Sequence, residues 1–137
     1  MRLRSRAQKG QVLVMSALVM AFLFLPLSIF VVDTALVGSG YAQLGETLQA
    51  SAEDGASTVD EAAYRSSNGK TIGLDAVQAK VVADRSMRVS GMPGLHSWDV
   101  TVQGSRVTIT GRLSVRLLLL GNATLTESRS ASLVFGP

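Results

Sequence analysis

"QVLVMSALVMAFLFLPLSIFVVD", Gln11 to Asp33, decides how the rest of the chain is read. Inside it, Val12 to Val32 is a run of 21 residues without a charge. As an α-helix this run rises about 31 Å, the thickness of a bilayer's hydrocarbon core. The apolar part of a secretory signal is shorter, about 7–15 residues. The run therefore reads as a permanent anchor and not as a discarded leader. Pro26 frees the Phe22 carbonyl, which a membrane helix tolerates when neighbours or local adjustment satisfy it.

Charge is distributed around this run very unevenly. The chain has 137 residues, with 13 Lys and Arg against 10 Asp and Glu, a formal net charge of +3. Four of the bases, Arg2, Arg4, Arg6 and Lys9, precede Gln11, and no acid accompanies them. From residue 11 onward nine bases face ten acids, so the basicity belongs to the N-terminus alone. A basic flank before an apolar run is a topology signal that stays cytoplasmic. Between Gly10 and Tyr64 there is no base, while six acids occur. The expected arrangement is a single pass, with the N-terminus inside and the C-terminal part outside. No basic patch remains that would suit a nucleic-acid partner.

Three parts follow from this: a basic cytoplasmic leader (1–10), a transmembrane helix (11–33) and an exported α+β domain (34–137). There is no cysteine, so no disulfide, zinc-thiolate site or cysteine nucleophile is available. Aromatic residues make up 5% of the chain, so the core must be built from Val, Leu, Ile and Ala.

The helical pattern continues past the apolar run. Leu36, Leu44, Leu48, Ala52, Val59 and Ala63 fall four, seven or eight residues apart, one or two steps of the helical repeat, with Glu46, Glu53, Asp54 and Glu61 between them. One long helix is expected from about Gln11 to Ala63. Its outer half is rich in small residues, and Ala52, Gly55 and Ala56 would let another backbone approach closely. A second helix is expected from about Leu74 to Val89, with Leu74, Val77 and Val81 as its apolar stripe and Asp84–Arg88 as a favourable pair. "SGMPG", Ser90 to Gly94, stops it.

From His96 onward the period becomes two. "WDVTV" (Trp98 to Val102) precedes a turn at Gln103–Ser105 and then "RVTITGRLSVRL" (Arg106 to Leu117). Val107, Ile109, Leu113, Val115 and Leu117 share one face, with Arg, Thr and Ser on the other, as in a strand with one wet side. After Gly121-Asn122, residues Thr124 to Phe135 supply a last strand. The fold class is α+β: a long membrane-embedded helix, a second helix and an antiparallel sheet of three or four strands. Leu117 to Leu120, "LLLL", cannot all face one side of a strand. Part of that run must cover a helix, touch lipid or meet a partner.

The N-terminal 60 residues resemble the TadE/TadG-like proteins of the tight-adherence (Flp) pilus assembly system. "KGQVLVMSALVM", then "VVD" at Val31–Asp33, then "LQASAEDGA" at Leu48–Ala56 carry the resemblance. It implies a pilin-like fold, a bacterial inner membrane and pilin-like partner subunits. It also implies a prepilin peptidase that cuts after Gly10 and leaves Gln11 as the new terminus. This chain departs from the family's pattern at the fifth residue after that junction, where Met15 replaces the usual glutamate. Without that carboxylate the helix is cheaper to keep in lipid. It also lacks the charge that draws a subunit into a fibre. The departure favours the TadG-like branch and a retained anchor, with cleavage at Gly10 as the alternative.

No catalytic, cofactor or metal site is expected. His96 is the only histidine, and no second His or Cys exists to complete a metal site. The acid pairs Glu53-Asp54 and Asp60-Glu61 are neighbours on a helix and face apart. Asp33 reads as the residue marking the membrane edge. Asn122-Ala123-Thr124 fits a glycosylation sequon that a bacterial setting leaves idle. The leading reading is a non-enzymatic minor pilin-like component of a pilus or related secretion machine. The other is a membrane-anchored binding module that never enters a fibre.

Overall fold

A computed structural model describes the backbone of residues 3–70 and 72–133, and side chains from Gly10 onward within those ranges. The chain folds as helix α1 (Leu3–Ala56), α2 (Glu61–Ser66), α3 (Ala76–Val89) and strands β1 (Leu95–Gln103), β2 (Arg106–Arg116) and β3 (Asn122–Ser132). The strands form one antiparallel sheet in the order β1-β2-β3. The strand expected over 124–135 starts at Asn122 and ends at Ser132; Val134 and Phe135 lie outside the described residues.

Helix α1 runs for 54 residues straight through Pro26. It stops at Ala56, not at Ala63 as the periodicity suggests. The hydroxyls of Ser57 and Thr58 turn back onto the Asp54 and Gly55 carbonyls at 2.6 and 2.8 Å, satisfying the helix end locally. Val59 then leaves the helical path to bridge Leu74. Asp60 starts a separate helix as its N-cap, its carboxylate accepting from Ala63 N–H at 2.9 Å. Apolar spacing alone does not register hydroxyl and carboxylate caps, and here the caps prevail.

Helix α3 begins two residues later than Leu74, because Asp75 caps it by accepting from Val77 and Gln78 N–H, each at 3.0 Å. Its inward stripe is Ala79, Ala83 and Met87. Val77 and Val81 are exposed, so the expected valine stripe is corrected; only Leu74 of that set packs against the core. The reason is the closeness of α1. A Cβ placed on Gly55 would stand 2.9 Å from the Ala79 carbonyl oxygen and 3.0 Å from Ala83 Cβ. Only a face of alanines fits at that distance, so the bulkier valines turn out.

The sheet packs one face on α1 and α3. In β2, Val107, Ile109 and Leu113 are fully or nearly fully buried, and Val115 is packed against the core, as the alternation requires. Val100 of β1 and Leu125 of β3 flank them, paired in register with Ile109 and Leu113. Leu44, Leu48, Ala52 and Ala56 complete the core from α1. The opposite sheet face is polar; Thr110 donates its hydroxyl to Ser128 across β2–β3 at 3.0 Å.

Helix α1 lies antiparallel along β2. A Cβ on Gly55 would meet Val107, one on Gly111 would stand 2.9 Å from Leu48, and one on Gly40 would stand 3.0 Å from Val115. Helix numbers fall as strand numbers rise. Two helical residues rise about 3 Å and one strand residue about 3.3 Å, so the two elements keep pace over this whole length. The β2–β3 end of the sheet therefore points toward the apolar half of α1, and the β1–β2 turn points away from it.

Candidate functional site

From Gln11 to Val32 every side chain of α1 is exposed except Ile29, which is half-buried. This segment is one helix long and apolar enough to cross a membrane. Among the described residues, little else packs on it. Gly10 and Gln11, the residues of the proposed junction, are exposed and helical. The Arg2 backbone and the side chains of Arg4, Arg6 and Lys9 lie outside the described residues.

The small-residue face is placed differently from a free surface. Ala52, Gly55 and Ala56 are buried within the chain, between the sheet and α3. They serve the internal packing of the domain on its own stem. One turn-set earlier, Gly45 makes room for an ion pair between Arg129 and Glu127 on β3. The second oxygen of Glu127 is buried without a hydrogen-bond partner, and its guanidinium neighbour offsets that charge.

A polar node ties α3 to α1. Ser86 donates to the Asp54 carboxylate at 2.6 Å, and Ser51 donates to Ser86 at 3.2 Å. Glu53 points elsewhere and accepts from Gln49 at 2.7 Å, so this pair of adjacent acids shares no site. A second node ties α3 to β1. Asp84 accepts from Arg88 and from the Trp98 indole N–H, both at 2.8 Å. The Arg88 guanidinium also lies 5.8 Å from the centre of the Trp98 ring. The Arg88 bond first, and the Trp98 bond second, hold the Asp84 carboxyl below its usual range.

The residue that sequence reasoning placed least well is Asp33. It is only 4% exposed. Its two carboxylate oxygens accept from Leu118 N–H at 2.7 Å and Leu119 N–H at 2.9 Å. These two amides belong to the β2–β3 turn. Leu117 N–H donates to the Gly121 carbonyl to close that turn, and Gly121 takes a φ of +75°, which suits glycine. Asp33 supplies the acceptor that a turn cannot provide for itself. An acid ending an apolar run is the only signal in the sequence, and it does not name the partner.

These nodes are structural chemistry: caps, ties and an ion pair. His96 is exposed at the irregularity between Leu95 and Ser97 in β1. Among the described residues no group of three His, Cys, Asp or Glu side chains could hold a metal ion. No family model, no curated protein and no solved structure matches this chain.

Proposed function

We propose that this chain is a non-enzymatic, membrane-anchored, minor pilin-like component of a tight-adherence type pilus or a related secretion machine. The N-terminus lies in the cytoplasm and the α+β domain outside. The observation that carries this reading is the continuity of α1. One unbroken helix presents a bare apolar half and then, without a hinge, a half packed into the sheet. A binding module on a tether needs no such stiffness, whereas a subunit that transmits position from the membrane to its domain does. The exposed apolar half demands lipid or neighbouring helices. The basic leader and the acid-rich segment after the run support the orientation. The family resemblance in the first 60 residues supplies the pilus assignment.

Three measurements on the native cells test it. Protease added to spheroplasts should digest residues beyond 33 and spare the leader; full protection of the domain refutes the orientation. Co-isolation of the full-length protein with secretion or pilin-like subunits, from membranes or from sheared surface filaments, is expected. Its recovery as a solitary membrane protein would instead favour the binding module. Sequencing the mature N-terminus separates a chain beginning at Gln11 from one that keeps its leader.

A further inference from the structure

We infer that the β2–β3 tip, Leu118 to Leu120, is a second membrane contact that dips into the outer face of the bilayer beside the span. Leu118, Leu119 and Leu120 are 69%, 53% and 77% exposed, three consecutive leucines left open by the described residues. Their position says what covers them. Asp33, the first residue after the apolar run, is hydrogen-bonded to two of the three, so the tip sits at the level where the helix leaves the hydrocarbon. The antiparallel course of β2 along α1 aims the tip back toward the span. The apolar surface of the tip thus continues that of the helix.

The backbone chemistry fits the same occupant. Hydrocarbon offers no acceptor, so a turn at the membrane edge gains from amides that are bonded within the chain. Asp33 takes the Leu118 and Leu119 N–H groups, and the Gly121 carbonyl takes that of Leu117. Arg116 is exposed at the base of the hairpin, opposite Asn122, where a guanidinium would meet lipid phosphates. A leucine tip, three amides bonded at its root and one arginine beside them form an interfacial anchor. Two points of attachment would fix the tilt and rotation of the domain on the membrane, which one helix alone leaves free.

The inference rests on the membrane-span part of the proposed function and not on the pilus role. The chain has no cysteine, so single substitutions can each carry one environment-sensitive fluorophore. The full-length protein would bear it at Leu119→Cys, at Leu120→Cys, at Leu23→Cys in the span, or at Ser105→Cys in the distal turn. Each is reconstituted in phosphatidylcholine–phosphatidylglycerol vesicles with or without brominated acyl chains. Labels at 119, 120 and 23 should lose most of their emission in brominated vesicles, and the label at 105 should keep it. Emission retained at both 119 and 120 but lost at 23 overturns the tip contact and leaves the span standing. Retention at 23 as well overturns both. Blue-shifted emission at 119 and 120 without bromine quenching assigns the tip to a protein neighbour, a second copy included, and also overturns the inference.

Discussion

Asp33 accepts the Leu118 N–H at 2.7 Å across a separation of 85 residues, tying the end of the apolar run to the turn between the last two strands. The anchor and the domain are thereby joined twice, once by the continuous helix and once by a carboxylate. Because Asp33 is buried, the bonds are shielded from competition with water.

Replacing Asp33 should therefore be costly. Asp33→Ala strands two turn amides and is expected to destabilise the full-length protein in detergent by about 2–3 kcal/mol. Asp33→Asn keeps the shape but sets an amide NH2 against one of the donors, so it should recover only part of this loss. Chemical unfolding followed by circular dichroism measures both, and an alanine variant as stable as the wild type would show that the turn amides find other partners.

The junction of α1 with α3 leaves little room for growth. Gly55→Ala, Ala52→Leu and Ala56→Leu are each expected to cost about 1–3 kcal/mol by overpacking. Glu53→Ala, on the exposed side of the same turns, should stay within about 0.5 kcal/mol. Accumulation of the protein in membranes and its unfolding midpoint report the contrast. Equal tolerance of all four substitutions would mean that the stem is not packed as described.

Helix α3 provides an inverted version of this test. Val77 is 73% exposed while Ala83 is fully buried. Val77→Ser and Val81→Ser should change stability by less than about 0.5 kcal/mol. Ala83→Leu should destabilise by about 1–3 kcal/mol, although leucine is a good helix former and more apolar than alanine. If serine at 77 and 81 proved the more harmful, the valine face would have to be covered by another molecule.

Acid should loosen the tie between α3 and β1. The folded state lowers the Asp84 pKa, through Arg88 and then Trp98. The stabilisation from this group is thus present above its unfolded value of about 3.9 and is lost as pH falls through the lower folded value. Trp98 is the only tryptophan, so its emission reports the step directly. A fluorescence transition is expected below about pH 3.9, and Asp84→Asn should abolish it. A transition that persists in the asparagine variant would assign the change to another carboxyl.

Local regularities in the sequence determined the elements. An uncharged run of bilayer length, a change of period from three-and-a-half to two, and an acid four residues before a base each act within a few residues. The span, the buried face of β2 and the Asp84–Arg88 pair were legible for that reason. What only the tertiary structure decided were the matters of distance and room. The closeness of α1 to α3 at Gly55 selected the alanine face of α3 over its valines. The hydroxyl and carboxylate caps between Ser57 and Asp60 divided one expected helix into two. Asp33 found backbone amides, which every residue but proline offers and which therefore leave no mark in the sequence. Only the antiparallel lie of β2 along α1 could bring those amides to the membrane end of the domain.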